Sequence, residues 1–212
     1  MTSKWFRAQL ERRAIRARIA IPDDAVEPLE TYVRLLARWN RKVNLTALSV
    51  DTPTDSTIDR LLIEPLAAAA RVGDSWTPWM DVGTGGGSPA IPLKIAKRGL
   101  DLTMVESKAR KAAFLREIVR ELKLTGANVE TARFEELSTR ASGTAGLVTV
   151  RAVRLAGTLT SAIRTVLRPT GHLLIFTSAP AHEPLAGFEA AACQRLVDSR
   201  IQQSWLVDFV RG

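Results

Sequence analysis

A glycine-rich stretch is the feature of this sequence most able to bind a ligand. Residues 81–89 read DVGTGGGSP, so a carboxylate, Asp81, stands two residues before the first glycine. Glycine lets the backbone take positive φ and approach a ligand closely. Counted from Gly83 the spacing is G-x-G-x-G, which is typical of sites for nucleoside–methionine cofactors. Counted from Gly85 it is G-x-G-x-x-A, close to a dinucleotide fingerprint.

Asp81 favours the first interpretation. A carboxylate beside a pyrophosphate would be repelled, whereas the same carboxylate can hold a cationic methionine group directly or through water. The sequence therefore predicts a cofactor of the S-adenosylmethionine type, with Asp81, Gly83 and Gly85 as contacts.

Further candidate contacts follow later segments that read as strands. Glu106, 23 residues after Gly83, is placed to accept hydrogen bonds from ribose hydroxyls, or else to interact with a helix dipole. Phe134 and Glu135 are placed to meet an adenine ring and its amine, or else to begin a helix with one buried aromatic. Arg151 is either a ligand contact at a strand end or a surface cation.

Composition narrows the function classes. The 212 residues include 30 basic and 22 acidic ones, a net charge of +8, which favours a polyanionic partner such as nucleic acid. One cysteine, Cys193, precludes an intramolecular disulfide and fits a reducing cytoplasm. With only His172 and His182 beside it, a zinc site is not expected. No apolar run is long enough for a membrane span, and no secretory leader is expected.

The elements that must position these residues fall into two parts. Residues 1–75 read as all-helical: a short basic arm at 1–18, a helix opening at Pro22 and a further helix at 57–71. The arm has a thin apolar face at Trp5, Phe6, Leu10 and Ile15. Residues 76–212 alternate short strands with helices, which predicts βαβ units and a parallel sheet.

The boundaries in this second part are predicted as follows. Strands are expected at 79–82, 100–105, 128–131, 146–150 and 173–177, with helices at 107–122 and 152–167 and a turn at 169–171. Residues 188–197 and 205–210 are expected to form an antiparallel hairpin at a sheet edge. We expect the helical extension and this domain to form one compact unit.

Five stretches together resemble a known family, the 16S ribosomal RNA guanine-N7 methyltransferases, once called glucose-inhibited division protein B. They are residues 39–46 (WNRKVNLT), 81–93 (DVGTGGGSPAIPL), 105–115 (VESKARKAAFL), 133–136 (RFEE) and 151–153 (RAV). The resemblance implies a Rossmann-like class I S-adenosylmethionine-dependent methyltransferase fold, with a mostly parallel seven-stranded sheet. It implies cofactor contacts at Gly83, Ser88, Phe134, Glu135 and Arg151.

The resemblance also implies methyl transfer to N7 of a guanine in 16S rRNA or the small ribosomal subunit. N7 carries an in-plane lone pair and needs no general base, so no catalytic residue is assigned. A cytoplasmic monomer without metal is expected. Candidate RNA contacts are Arg41, Lys42, Asn44, Lys108, Lys111 and Arg154. Asn44 is equally compatible with a helix-end cap.

The sequence departs from the family pattern in three places. Ala90 replaces a usual glycine, and Thr177-Ser178 replaces a usual lysine–glycine pair. Residues 60–66 read RLLIEPL where the family usually has a stretch like RHILDSL. An alternative therefore stays open, a related methyltransferase that acts on another RNA or on a small molecule.

Overall fold

The computed structural model describes residues 2–180, 184–198 and 203–212. Helices α1 (Ser3–Ala17) and α2 (Asp23–Val43) are followed by α3 (Asp55–Ile58), a π-helical segment (Asp59–Ile63) and α4 (Glu64–Ala69). The π segment continues directly into the α-helical turns on either side of it. The residues after it alternate strands and helices, as the sequence predicts.

The described residues of the second part form seven strands and four helices. In chain order they are β1 (Trp79–Val82), α5 (Ala90–Ala96), β2 (Leu102–Val105), α6 (Ala109–Glu121), β3 (Ala127–Glu130), α7 (Phe134–Ser138), β4 (Ala145–Arg151), α8 (Gly157–Val166), β5 (Leu167–Thr177), β6 (Phe188–Asp198) and β7 (Gln203–Arg211).

The strands form one sheet in the order β3-β2-β1-β4-β5-β7-β6. Strands β1 to β5 are parallel, β7 is antiparallel to β5, and β6 pairs antiparallel with β7. The predicted seven-stranded sheet and its C-terminal hairpin are confirmed. The carboxyl ends of β1, β2, β4 and β5 lie at one edge, where open α/β sheets bind ligands.

Alternating side chains supply a core on each face of the sheet, because successive residues of a strand point to opposite faces. Trp79 packs on the face covered by α1, α2, α4, α5 and α6, whereas Met80 and Val82 pack on the face that carries α7 and α8. The first core is continuous from Phe6 in α1 to Leu206 in β7. The helical extension therefore shares its buried surface with the sheet.

The basic arm predicted at residues 1–18 is a packed helix. Phe6 and Leu10 are fully buried, while Trp5 and Ile15, expected on the same face, are exposed. Arg13 is buried and donates from Nε to Asp59 Oδ1 at 2.6 Å, within the π segment. Because its guanidinium is in a buried ion pair, Arg13 is not available to bind RNA.

Two predicted boundaries are wrong. Helix α8 begins at Gly157 rather than at residue 152, because Ala152 has a φ of +56° that no helix accommodates. Strand β5 begins at Leu167, so the expected turn at 169–171 lies inside the strand. Thr170, with a φ of +61°, marks the irregularity there, and the register with β4 shifts between Ala145 and Leu147.

Candidate functional site

The glycine loop leaves β1 at the carboxyl edge of the sheet. Gly83, Gly85 and Gly87 have φ angles of +64°, +56° and +90°, a region that side chains with a Cβ rarely enter. Gly83 is exposed, and its N–H donates to the Val105 carbonyl at 2.9 Å. The positive angles explain why this turn is built from glycine, and they present bare backbone to the edge.

Helix α2 and the residues after it support this loop from below. The Tyr32 hydroxyl donates to the Gly86 carbonyl at 2.7 Å. A Cβ on Gly86 would lie 3.2 Å from the Leu45 carbonyl oxygen. Asn40 Oδ1 accepts from the backbone N–H groups of Leu45 and Thr46 at 2.7 and 2.9 Å. The WNRKVNLT stretch therefore fixes the surface on which the glycine loop rests.

Asp81 lies in the sheet just under the loop and is 1% exposed. Its Oδ1 accepts from the Thr149 hydroxyl at 2.5 Å, and Thr149 Oγ1 accepts in turn from Trp79 Nε1 at 2.9 Å. Burial raises the pKa of Asp81 to about 6, although the hydrogen bonds from Thr149 and Thr84 oppose this rise. A cation placed nearby would therefore stabilise the ionised form of Asp81.

Glu106 directly follows β2 and reaches the same loop. Its Oε2 accepts from the Gly85 N–H at 3.0 Å, and its Oε1 accepts from the Lys108 N–H at 2.8 Å. The side chain thus joins the glycine loop to the start of α6. Each oxygen keeps a further lone pair, because a carboxylate has about four acceptor positions. Its contact with a ribose stays a prediction.

Ser88 and Arg151, both predicted as cofactor contacts, form hydrogen bonds with protein groups. Ser88 Oγ donates to the Leu61 carbonyl at 3.0 Å. Arg151 Nη1 donates to the Arg60 carbonyl at 2.6 Å and to Ser88 Oγ at 3.0 Å, and Nη2 pairs with Glu64 Oε2 at 2.7 Å. These bonds tie the π segment and α4 to β4 and the loop. A cofactor contact for either residue stays a prediction.

The ion pair between Arg151 and Glu64 is almost completely buried. The two side chains are 7% and 2% exposed. Burial lowers the pKa of Arg151 to about 10 and raises the pKa of Glu64, while each charge opposes the shift of the other. Glu64 stands where the family pattern has an aspartate. The substitution therefore keeps the acid that holds Arg151.

Sequence reasoning missed three residues of this site, namely Tyr32, Glu64 and Thr149. Each had a weak signal. Glu64 is an acid in the apolar run RLLIEPL, and Thr149 is a hydroxyl in the apolar strand GLVTV. Such residues in buried segments are normally hydrogen-bonded. Tyr32 gave no signal beyond its apolar helix position, since its partner is 54 residues away.

Phe134 and Glu135 begin α7 on the opposite face of the sheet from α2. Phe134 is 4% exposed and packs in the second core, while Glu135 beside it is exposed. The helix start with one buried aromatic, one of the two interpretations, is what the structure contains. An adenine contact at this pair stays a prediction.

A hollow of about 360 Å³ opens where β4 and β5 end. It is lined by Arg60, Val150, Ala152, Val153, Arg154, Leu155, Ile175, Phe176, Thr177 and Ser178. The Val153 side chain would lie 2.9 Å from a Cβ on Gly83, so the hollow adjoins the glycine loop. Among the described residues that line it, none is acidic or a histidine.

The candidate RNA contacts are distributed over this side of the molecule. Arg154 is exposed at the hollow, Lys42 and Lys108 are exposed, and Lys111 is half-buried. Arg41 is exposed but pairs with Asp51 at 2.7 Å. Asn44 ends α2 with a φ of +56°, which is the helix-end cap that the sequence allowed.

Among the described residues, histidine gives no candidate for a general base near the loop. His172 lies toward the amino end of β5, stacked on Trp76 and 2.9 Å from Asp208. His182 lies outside the described residues. Within the described part of the chain, no group of His, Cys, Asp and Glu side chains is arranged to hold a metal ion. No helix in that part is long and apolar enough to span a membrane.

Comparison with known proteins points in one direction. The family model described as rRNA small subunit methyltransferase G matches residues 25–204. The ribosomal RNA small subunit methyltransferase G of Stenotrophomonas maltophilia (strain K279a) is 39% identical over 175 residues, covering 77% of this chain and 74% of that protein. Its namesake in Halorhodospira halophila is 34% identical over 190 residues, covering 90% and 87%.

Solved structures agree on the fold. The mitomycin 7-O-methyltransferase MmcR superposes with a TM-score of 0.61 at 15% identity, over 89% of this chain and 68% of that one. An S-adenosylmethionine-dependent methyltransferase from Aquifex aeolicus gives a TM-score of 0.56 at 14% identity, over 73% and 93%. At these identities the likeness shows the α/β methyltransferase fold.

Proposed function

The chain belongs to the rRNA small subunit methyltransferase G family, and from that premise we propose that it methylates N7 of a guanine in 16S ribosomal RNA. It uses S-adenosylmethionine as the methyl donor. The observation that carries the proposal is the glycine loop, with its bare backbone between two carboxylates, beside a hollow whose charged lining residues are arginines.

The residues present fit the cofactor. Gly83 offers an exposed backbone where a side chain would crowd Val153, and Asp81 and Glu106 provide acids near the loop. We assign the loop to the methionine part, with Asp81 favouring its positive charge, and Glu106 to the ribose hydroxyls. When bound, S-adenosylmethionine supplies a methyl group on a positively charged sulfur.

The protein's part in the reaction is to position the guanine and keep it aligned. N7 has an in-plane lone pair, so its attack needs no deprotonation. The hollow has no acid or histidine among its described lining residues, in keeping with a reaction that needs no base. Alignment of two bound reactants can itself supply a large share of a rate enhancement, about 7–11 kcal/mol in favourable cases.

Binding of the RNA rests on its phosphates. Arg154 lies at the hollow, and Lys42, Lys108 and Lys111, with Arg41, extend the positive surface. Phosphate contacts of this kind position a nucleic acid and make its affinity depend on salt. We infer that the enzyme acts in the cytoplasm as a monomer, without a metal ion, on 16S rRNA or the small subunit that contains it.

A methylation map of 16S rRNA tests the proposal. RNA from a strain that lacks this gene is compared with RNA from the parent strain by mass mapping, and primer extension after cleavage at N7-methylguanine locates the position. We expect one guanine to lose its N7-methyl group and to regain it when purified protein and S-adenosylmethionine are added. An unchanged map would exclude 16S rRNA as the substrate and favour another RNA or a small molecule.

A further inference from the structure

A second hollow, of about 590 Å³, lies beside the first on the face of the sheet that carries α8. One wall is helix α8, and the other is the chain that leads into β6 together with the end of β7. The volume is within the range of protein sites for organic ligands. None of the functional assignments above uses this hollow.

The α8 wall presents unused hydrogen-bond donors. Ser161 and Arg164 are exposed and three residues apart, so they lie on one face of the helix. Neither side chain has a hydrogen bond or an ion pair to a described residue. Arg211 contributes from the other side: its Nη1 donates to the Leu167 carbonyl, and its buried Nε has no partner.

Arg164 lies against the backbone of Gly187. A Cβ on that glycine would collide with the Arg164 guanidinium. Gly187 has a φ of +78°, which a larger residue would not tolerate easily. A guanidinium suits a phosphate, whose oxygens accept its N–H groups in pairs.

Besides Ser161 and the two arginines, the described residues that line this hollow are uncharged and include both hydroxyl and apolar side chains. Pro184 and Leu185 line the wall opposite α8. Among the described residues that line the hollow, none is acidic, so nothing there would repel an anion. A hollow that has two arginines, apolar side chains and no acid among its described lining residues matches a nucleic acid strand, which has an anionic backbone and flat apolar bases.

The two hollows are neighbours. Leu155 lines both of them, between the ends of β4 and β5 and the first turn of α8. We call the pair of hollows the trough; it extends from the glycine loop past Arg154 to Arg164. A strand that occupies the first hollow therefore has the second hollow beside it.

We propose that this trough binds the RNA strand next to the target guanine, with a backbone phosphate at Ser161 and Arg164. The inference rests on the proposed function, because the guanine is what occupies the first hollow. The bases beside the guanine then lie toward Pro184 and Leu185. Specificity for the neighbouring nucleotides would reside in this second hollow.

Directed cleavage of RNA tests the position of the strand. Ser161→Cys is made in a Cys193→Ser background, so that an iron chelate attached to the new thiol is the only one on the protein. Hydroxyl radicals generated there should cut 16S rRNA within a few nucleotides of the methylated guanine. A chelate on Thr125→Cys, at the opposite edge of the sheet, is the control and should not cut there. Cuts from residue 161 only at distant sites would overturn the trough.

Removal of the charge gives an independent measurement. Arg164→Gln should weaken RNA binding about three- to tenfold and reduce the salt slope of log Kd by about one, with unchanged affinity for S-adenosylmethionine. Arg120→Gln, an exposed arginine at the end of α6, is the matched control. Equal RNA binding by the Arg164 variant and the parent would overturn the inference. Failure of the proposed function itself is recognised separately, because the unsubstituted protein would then leave 16S rRNA unmethylated.

Discussion

At the scale of single residues, the first prediction concerns Gly83. Gly83→Ala places a methyl group 2.9 Å from Val153 at a φ of +64°. Because the same backbone is assigned to the cofactor, we expect calorimetry to show at least a tenfold weaker affinity for S-adenosylmethionine, about 1.4 kcal/mol.

Gly143 supplies the control for this substitution. It has a φ of +67°, and nothing lies within 4 Å of the position its Cβ would take. Gly143→Ala thus introduces similar backbone strain without crowding. Its stability should fall by about 1 kcal/mol while its cofactor affinity is retained. Parent-like binding by the Gly83 variant would remove the loop from the cofactor site.

The titration of Asp81 should be visible in cofactor binding. Burial raises its pKa to about 6 from the ordinary value of 3.8. Since the ionised form is the one that attracts a cation, affinity for S-adenosylmethionine should increase as the pH rises from 5 to 7. Calorimetry across this range measures the effect, and Asp81→Asn should bind at least tenfold more weakly at pH 7 and without the pH dependence.

The same carboxyl should affect stability with the opposite sign. A carboxyl whose pKa is higher in the folded state destabilises the fold once it ionises, so the free energy of unfolding falls as pH rises from about 4 to 6. In the absence of cofactor, Asp81→Asn should therefore be more stable than the parent at pH 8, by about 3 kcal/mol, and similar to it below pH 4. A variant less stable than the parent at pH 8 would show that the charge is satisfied by the protein.

At the scale of elements, α2 supports the loop through one hydroxyl. Tyr32→Phe leaves the ring in place and removes only the hydrogen bond to the Gly86 carbonyl. The partly buried carbonyl then lacks this partner, so urea unfolding should show a loss of about 1 kcal/mol in the free energy of unfolding. Cofactor affinity should fall with it, because the loop is less restrained. Unchanged affinity at reduced stability would mean that the bond holds the fold and not the site.

The join between α4 and β4 depends on one ion pair. Glu64→Gln leaves Arg151 buried without its anion, and a broken buried pair typically costs about 3–5 kcal/mol. Chemical unfolding measures this loss. Glu64→Asp keeps the charge and the family's usual acid, so it should lose less than half as much. Equal losses in the two variants would show that shape, and not charge, is what matters at this position.

Local sequence patterns predicted the elements whose bounds depend only on nearby residues. The apolar spacing of α2 and the short run at 79–82 gave both elements within a residue. The π segment could not be predicted, because its contact with Arg13 joins residues 46 positions apart. The early start of β5 also depends on pairing with β4, which no local signal contains.

At the scale of the whole molecule, the positive surface should set the salt dependence of RNA binding. The double substitution of Arg41 and Lys42 to Ala removes two exposed cations near the loop and should lower the slope of log Kd against log salt by about one to two. Cofactor affinity should be unaffected. Filter binding between about 50 and 200 mM salt, a fourfold range of concentration, measures the slope.

A matched pair of cations controls for net charge. Arg120 and Lys123 lie at the far end of α6 and are both exposed. Their joint replacement by Ala changes the net charge by the same amount. If both double variants have the same slope, RNA binding responds to total charge, and the surface near Arg41 has no special part.

The sequence predicted the position of the site better than it predicted the contacts that support the site. Asp81, Gly83 and Glu106 lie at one sheet edge because each is near the carboxyl end of a parallel strand, and βαβ alternation predicts that these ends share an edge. Ser88 and Arg151 were predicted as site residues. Besides the pairing of Arg151 with Glu64, both donate to backbone carbonyls of the π segment, namely those of Leu61 and Arg60. A backbone carbonyl cannot be identified as a partner from residue types. These contacts with the glycine loop are therefore visible only in the folded structure.

The pairing of Glu64 with Arg151 has a consequence for how such proteins can change. The two residues are 87 positions apart. A hybrid with a gene that lacks either the acid or the arginine would inherit a lone buried charge. Substitutions at these two positions should therefore be correlated among related sequences. A recombinant with a crossover between them should fold only when it has both the arginine at position 151 and an acid at position 64.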